Sequence, residues 1–278
     1  MLSSVRSLFD RSSASFQVLS DLHLEINQQY AFEIPVRAKH LILAGDIGRL
    51  EDYDNYRGFL QRQTRQFERV LLVLGNHEFY NDTFPRGLEK ARQLENDPSM
   101  NGRLVLLHQG RYDVPNTLVT VLGCTLWSSV PDDAKDIVRS KIQDFKKIVD
   151  WTVDDHNASH GSDLTWLLGQ IEQIRNENKT QRKKRSILVV THHAPATKGT
   201  SSPQHEKNAW SSAFGTDILS EVSDSAPVKA WIFGHTHYTT EFQSRGVRIV
   251  SNQRGYVLPW SDTARVKDGF DVEKVIHV

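Results

Sequence analysis

The chain has 278 residues, a length that allows one large domain or two small ones. Lysine and arginine together number 34, as do aspartate and glutamate, and this balance disfavours a protein that coats long nucleic acid. The one cysteine, Cys124, excludes an intrachain disulfide framework and a zinc–thiolate site. Apolar runs are too short to span a bilayer, and the stretch after Met1 lacks the apolar core of a secretory signal. We therefore expect a cytoplasmic protein that does not have a membrane as its partner.

In chain order, short apolar and β-branched runs predict eight buried strands. They are residues 16–20, 40–44, 70–74, 104–107, 118–123, 186–191, 230–233 and 247–251. Amphipathic spacing predicts helices at residues 54–69, 85–94, 136–149 and 163–174. Strands and helices alternate at first, strands dominate later, and no linker interrupts them. This order predicts a mixed α/β layered fold in a single domain that spans residues 1–278.

Polar side chains follow five of the predicted strands, at the point where each strand ends. In chain order these segments are Asp21-Leu22-His23, Gly45-Asp46, Gly75-Asn76-His77-Glu78, His192-His193 and Gly234-His235-Thr236-His237. The carboxyl ends of strands line the ligand crevice of α/β sheets, so these side chains are expected to meet. In an extended segment residues i and i+2 point the same way, which would direct both members of Asp-x-His and His-x-His at one centre. Five such strand ends together predict a metal site.

The donor atoms of this predicted site are oxygen and imidazole nitrogen, without thiolate. Such a set suits Mn, Fe, Zn, Ni or Co. Seven protein ligands are too many for one tetrahedral ion, so two ions are expected, with a carboxylate bridging them. Asp46 is the candidate for the bridge because its strand is expected to be central. The glycines before Asp46, Asn76 and His235 suit sharp turns and close approach of the backbone.

Taken together, the five segments resemble the calcineurin-like metallophosphoesterase superfamily. Its pattern is Asp-x-His, Gly-Asp, Gly-Asn-His-Asp/Glu, a histidine after a strand, and Gly-His-x-His, and this sequence has every element in that order. The resemblance implies a four-layer αββα sandwich, in which two mixed β-sheets are flanked by helices. It also implies that Asp21, His23 and His237 bind the first metal, that Asn76, His192 and His235 bind the second, and that Asp46 bridges. For the fourth element the family pattern favours His192 over His193.

A narrower resemblance lies between these motifs. The runs at 123–127 (GCTLW) and 251–256 (SNQRGY), together with the pairs Asp144-Phe145 and Trp166-Leu167, are similar to a microbial subgroup of predicted phosphoesterases. This likeness implies no particular substrate.

The expected activity is hydrolysis of a small phosphate mono- or diester. In this hypothesis the two metals bind the phosphate and lower the pKa of a shared water, and the resulting hydroxide attacks phosphorus in line. Asn76 is expected to ligate a metal through its carbonyl oxygen and to donate to the phosphate through its amide nitrogen. His77, by resemblance, protonates the leaving alkoxide or steadies its charge. Glu25 and Glu78 are candidates for orienting the ligands beside them, although both could instead face solvent.

One departure from the family concerns the orientation of His77. In the protein phosphatase branch an aspartate three residues after the bridging aspartate orients this histidine, and here that position is Arg49. A Ser/Thr protein phosphatase is therefore disfavoured. Arg49 either contacts the phosphate or forms a surface salt bridge, and Arg254, after the last predicted strand, has the same two interpretations.

Two further segments have predicted roles. Residues 128–162 are longer than a simple connection and are predicted to form a helical cap beside the metals, the alternative being a helix packed on the sheet. The basic run at 176–185 is predicted to be a solvated loop, the alternative being a nucleic-acid patch.

A nuclease is the second enzyme hypothesis, although the chain has no room for DNA-contacting domains, and stable nucleic-acid binding is not expected. A non-catalytic scaffold of the same fold is disfavoured because every ligand position is intact.

Overall fold

A computed structural model of the chain describes residues 13–222, 226–258 and 269–278, so the expectation about the residues that follow Met1 lies outside the described residues. The described strands form two sheets, one of five strands and one of six. In chain order they are β1 (Ser15–Leu19), β2 (His40–Ala44), β3 (Arg69–Val73), β4 (Leu104–Leu106), β5 (Gly110–Asp113), β6 (Val119–Cys124), β7 (Ser186–Thr191), β8 (Val228–Phe233), β9 (Glu241–Ser244), β10 (Val247–Ser251) and β11 (Val275–His277).

Both sheets are mixed. The first has the order β11-β1-β2-β3-β4 and is parallel except for β11. The second has the order β5-β6-β7-β8-β10-β9, with antiparallel strands at its two edges. Because β1, β2 and β3 are parallel to one another and β7 is parallel to β8, the carboxyl ends within each set lie at one edge of their sheet.

In the described ranges, five α-helices connect the strands. They are α1 (Tyr53–Gln66), α2 (Phe84–Asn96), α3 (Lys135–Lys141), α4 (Asp144–Lys147) and α5 (Val153–Thr180). The start of α2 is fixed by Thr83, whose side chain accepts from the backbone N–H of Arg86, with a proline in the first turn. The start of α5 is fixed by a capping box in which Thr152 and Asp155 satisfy each other's backbone N–H.

Alternating side chains of the buried strands build three apolar layers. Ile42 and Ala44 of β2 face the second sheet, where they join Leu188 and Val190 of β7 in a cluster between the sheets. Leu41 and Leu43 face the opposite way and pack with residues of α1 and α2. The outer face of the second sheet packs in the same manner against α5. The order is thus helix, sheet, sheet, helix, and the expected αββα sandwich is confirmed.

The structure differs from the predicted elements at two helices and at three strands. The predicted helix at 136–149 is divided into α3 and α4 because the backbone of Ile142 is extended. Helix α5 begins ten residues before the predicted start, in a polar stretch that its capping box stabilises. Strands β5, β9 and β11 were not predicted, since β5 and β9 are half-exposed edge strands and β11 has three residues.

Candidate metal centre

The ends of β1, β2, β3, β7 and β8 bring the predicted ligands together. His23 Nε2 lies 2.8 Å from His237 Nε2, and His237 Nε2 lies 3.5 Å from Asp21 Oδ1. On the other side of the cluster, His192 Nε2 lies 3.4 Å from Asp46 Oδ1. These side chains are buried apart from His237, which is partly exposed. The cluster therefore concentrates carboxylates and imidazoles where water has little access.

Among the described residues, two groups of potential ligand atoms share Asp46, and a third consists of His23, Glu25 and His77. Within each group the atoms lie within 4.8 Å of one another. The first group contains Asp21, His23, Asp46 and His237, and the second contains Asp46, His192 and His235. Asn76 adjoins the second group, because its Oδ1 lies 3.1 Å from His192 Nε2. This division has the form that two ions with one bridging carboxylate require.

The hydrogen bonds of His192 test whether a cation fits this cluster. Its Nδ1 donates to the carbonyl oxygen of Ala44 at 2.9 Å, so Nε2 of the neutral ring carries a lone pair. That lone pair faces two further acceptors, Asn76 Oδ1 and Asp46 Oδ1. Three lone pairs directed at one another repel unless a proton or a metal ion lies among them. Burial alone would lower the pKa of His192, but the charges of Asp46 and Asp21 raise it to about 10. A metal would replace that proton.

His193 belongs to neither group. Its ring stacks on that of His235, with centroids 4.0 Å apart, and also contacts the Trp127 ring. Neither ring nitrogen has a hydrogen-bond partner among the described residues. Burial lowers the pKa of His193 well below its ordinary value, which keeps the ring neutral. This geometry favours His192 as the ligand and makes His193 a packing partner of His235.

The backbone of the cluster is left-handed rather than extended. Asp21, His23, Asp46, His235 and His237 all have φ between 47° and 70°. The expectation that the strand pleat aligns residues i and i+2 is therefore wrong, because the chain leaves the pleat at Asp21 and at His235. Left-handed φ is uncommon for residues other than glycine, and it is tolerated mainly where the surroundings impose it.

Two of the glycines that precede predicted ligands are required because ligand side chains lie very close to their backbone. A Cβ atom on Gly75 would lie 2.7 Å from His192 Nε2, and one on Gly234 would lie 2.6 Å from Asp21 Oδ2. Both distances are shorter than any carbon–heteroatom contact that a folded chain tolerates. The glycines therefore allow the loops to pass directly beneath the ligands, as the sequence predicted.

His77 has a carboxylate partner that the sequence left unassigned. Its Nδ1 donates to Glu25 Oε1 at 2.8 Å, and its Nε2 lies 3.1 Å from the hydroxyl of Tyr256. Burial would raise the pKa of Glu25, but hydrogen bonds from His23 and His77 outweigh it and lower the pKa to about 2. Burial would likewise lower the pKa of His77, whereas the charges of Asp46 and Glu25 raise it. Glu25 thus orients His77 and favours its protonated form.

Asn76 is held by a residue of the 128–162 segment. Its Nδ2 donates to Asp144 Oδ1 at 2.7 Å and to the hydroxyl of Tyr80 at 3.1 Å, and Tyr80 in turn donates to Asp144. Both amide hydrogens therefore have acceptors, and the expected donation from Asn76 to a phosphate has no support in this arrangement. The contacts instead direct the carbonyl oxygen of Asn76 at His192.

Replacing Asp144 with alanine is expected to weaken metal binding at the group that contains His192. The substitution removes the acceptor that fixes the Asn76 amide, and loss of such an outer contact reduces metal affinity by about 10–100-fold. Metal titration of the stripped protein should show one weakened and one unchanged binding step. Asp154→Ala, which removes an exposed partner of Lys135 in the same segment, serves as the control. Two unchanged steps in Asp144→Ala would contradict this role.

Glu78 organises the backbone beneath the cluster. Its Oε2 accepts from the N–H groups of Gly75 and Asp46 at 2.7 and 2.9 Å, and its Oε1 accepts from Ile47 at 2.8 Å. The hydroxyl of Tyr56 donates to Oε1 at 3.0 Å. Glu78 is fully buried, so it does not face solvent. One carboxylate thereby joins the two loops that carry Asp46 and Asn76.

We expect Glu78→Gln to lower the free energy of unfolding by about 2–4 kcal/mol, because the new amide NH2 must face buried N–H donors and leaves them unpaired. Urea unfolding of the metal-free protein measures the change. Glu68→Gln, which alters an exposed pair with Lys39, should stay within about 0.5 kcal/mol of the parent. Equal stabilities of Glu78→Gln and Glu68→Gln would show that these hydrogen bonds contribute little.

The two arginines predicted to contact substrate are engaged elsewhere. Arg49 pairs with Glu51 and Asp52, at 3.5 and 3.2 Å. Arg254 donates to the carbonyl oxygen of Leu22 at 3.2 Å and to Gln29 Oε1 at 2.7 Å. Arg49 thus forms the salt bridge that was its second interpretation, and Arg254 supports the loop behind the cluster. A contact of either with substrate stays a prediction.

Comparison with known proteins agrees with this architecture. Residues 15–239 match the calcineurin-like phosphoesterase family. The chain is 29% identical over 265 residues to the uncharacterized protein L509 of Acanthamoeba polyphaga mimivirus, a match that covers 86% of this chain and 90% of that protein. Because the family match covers most of the chain, the chain belongs to the calcineurin-like phosphoesterase family, and it is a metal-dependent hydrolase of phosphate esters.

Solved structures share the fold at low identity. Phosphopantetheinyl hydrolase from Mycobacterium tuberculosis is 17% identical, with a TM-score of 0.62 and coverage of 88% of this chain and 90% of that one. A dimetal phosphatase from Danio rerio is 15% identical, with a TM-score of 0.50 and coverage of 86% of both chains. At these identities the likeness establishes the shared fold. In the part of the chain that the structure describes, no helix has the length and apolar character needed to cross a bilayer.

Proposed function

We propose that this protein hydrolyses a small phosphate mono- or diester with a dinuclear metal centre. The observation that carries the proposal is the pair of ligand groups that share Asp46. In the proposed assignment Asp21, His23 and His237 would hold one ion, Asn76, His192 and His235 would hold the other, and Asp46 would be shared by both. The oxygen and imidazole donors suit Mn, Fe, Zn, Ni or Co.

When bound, such a pair of ions supplies positive charge to the phosphate and activates a water as the nucleophile. The protein's own contribution to the proton transfer comes from His77. Its Nε2 lies 3.9 Å from Asp46 Oδ2 and therefore borders the space between the two ligand groups. A protonated His77, oriented by Glu25, is placed to donate to the leaving-group oxygen. The hydroxyl of Tyr256 contacts the same nitrogen, 3.1 Å away, and so borders the same space.

Contacts of the 128–162 segment support its proposed role as a cap. Val130, Val138 and Ile142 form an apolar cluster with Ala213, apart from the three layers of the sandwich. Phe145 packs against this cluster, and the neighbouring Asp144 reaches Asn76. We therefore assign the segment, within a single domain, as a cap that both covers and positions the second ligand group.

A metal-reconstitution experiment tests the proposed function. The protein is stripped with a chelator, reloaded separately with Mn, Fe, Zn, Ni and Co, and measured for bound metal and for hydrolysis of p-nitrophenyl phosphate and bis-p-nitrophenyl phosphate. We expect two ions per chain and activity that returns with at least one metal. One ion per chain, or no hydrolysis with any metal, would overturn the proposal. Faster cleavage of single-stranded DNA than of either small ester would favour the nuclease instead.

A further inference from the structure

A cavity of about 250 Å³ adjoins the candidate metal centre. It is formed mainly by the segment between β7 and β8, which carries Thr197, Asn208, Trp210 and Phe214, and Thr236 completes one wall. The segment returns to the end of β7 through a short parallel bridge between Ala194 and Gly215. This bridge holds the two ends of the segment together beside His192 and His193, which follow β7.

The wall of the cavity is continuous with the ligand cluster. Thr236 lies between His235 and His237, which belong to different ligand groups. The ring of Phe214 packs on that of His235, with centroids 4.9 Å apart. A phosphate at the metal centre would therefore have the cavity directly beside it, within reach of a substituent on the ester oxygen.

The side chains that line the cavity are mainly aromatic and polar. Among the described residues, its lining combines the rings of Trp210 and Phe214 with hydroxyl and amide groups and the imidazole of His205, and it contains no Asp, Glu, Lys or Arg. Two nearby carboxylates are occupied by the loop itself: Asp217 accepts from Thr197, and Glu206 accepts from the N–H of Gly199. Lys141 lies over the Trp210 ring, with Nζ 5.7 Å from its centroid, and does not line the cavity.

We propose that this cavity binds the organic group of the phosphate ester, and that this group is small, neutral and ring-bearing. The inference rests on the proposed function and adds the class of substrate to it. A ring would pack against Trp210 and Phe214, while Asn208 and Thr197 would select its hydrogen-bonding substituents. A second anionic group would lose its hydration in a cavity that offers no lysine or arginine to pair with it, which disfavours bisphosphates and carboxylated esters.

Binding of two matched phosphonates to the metal-loaded protein tests this inference without requiring turnover. Benzylphosphonate and 4-carboxybenzylphosphonate differ only in a carboxylate at the far end of the ring. By calorimetry we expect the neutral compound to bind at least about tenfold more tightly, which corresponds to about 1.4 kcal/mol. Inorganic phosphate, which does not reach the cavity, provides the reference affinity.

Two variants test binding in the cavity separately from binding at the metal centre. Trp210→Ala should weaken benzylphosphonate about tenfold and leave inorganic phosphate unchanged. Asn208→Lys should raise the affinity for 4-carboxybenzylphosphonate relative to benzylphosphonate. Misfolding cannot produce such a gain in affinity. Asn176→Lys carries the same charge change on the exposed end of α5, before β7 begins, and should keep the parent's preference.

The outcomes distinguish this inference from the function on which it rests. Equal affinities of the two phosphonates, or a preference that neither variant alters while phosphate still binds, would overturn the assignment of the cavity alone. A metal-loaded protein that binds neither phosphate nor phosphonate would contradict the proposed function as well.

Discussion

Asp46→Asn is expected to reduce kcat/KM by about a thousandfold or more and to leave fewer than two ions per chain. Asp46 is the residue common to both ligand groups, with Oδ2 3.8 Å from His23 Nε2 and Oδ1 3.4 Å from His192 Nε2. Burial would raise its pKa, but His192 and His77 lower it well below the ordinary value, so the side chain is anionic at neutral pH. Metal ions contribute several kcal/mol to such reactions, at about 1.4 kcal/mol per tenfold in rate.

The substitution is informative because asparagine preserves the size of the side chain and removes its charge. Asp136→Asn is the matched control, since Asp136 is exposed on α3 and forms a salt bridge with the exposed Arg139. Metal content and hydrolysis of p-nitrophenyl phosphate should be measured for both variants. If Asp46→Asn kept two ions and the parent rate, a shared bridging carboxylate would have to be abandoned.

The second large effect is expected for His77→Ala. An alkoxide leaving group needs a proton, whereas p-nitrophenolate leaves readily without one. Loss of a positioned acid typically reduces the rate by about 10²–10⁴-fold, so we expect a loss in this range with an alkyl phosphate and a smaller loss with p-nitrophenyl phosphate. Glu25→Gln should act in the same direction and more weakly, because it removes the carboxylate that accepts from His77 Nδ1.

The comparison between leaving groups decides the role of His77. His277→Ala, at an exposed position of β11, is the control and should retain the parent's activity with both substrates. Bound metal should stay at the parent level in His77→Ala, since His77 is outside the two ligand groups that share Asp46. Equal losses with both leaving groups would exclude proton donation and leave a role in binding the phosphate.

The fold and the location of the site could be predicted because both depend on local patterns. Buried strands appear as apolar runs, and the residues after them are placed by the sheet, so five strand ends were enough to locate the cluster. The division of α3 from α4 at Ile142 could not be predicted, because the apolar side chain there is compatible with a continuing helix. The half-exposed edge strand β9 was also missed, since its polar residues resemble a loop.

Contacts between site residues that are distant in the sequence were harder to predict. Glu25 is two residues from His23 and was a candidate for orienting the ligand beside it, but nothing in the sequence joined it to His77. Asp144 contacts Asn76 across 68 residues, and Tyr256 contacts His77 across 179. Both lie in runs that resemble a microbial subgroup, and this likeness was the available hint that they belong near the site.

Left-handed φ angles in the ligand loops predict an outcome of directed evolution for thermal stability. The residues with these angles are Asp21, His23, Asp46, His235 and His237. Glycine adopts this conformation without steric penalty, whereas other residues pay about 1–2 kcal/mol. A population selected for heat resistance alone, with no demand for turnover, should therefore accumulate glycine or asparagine at these positions. The side chains proposed to bind metal thus lie at positions where the backbone favours glycine, so we expect thermal stability and activity to trade against each other in these loops.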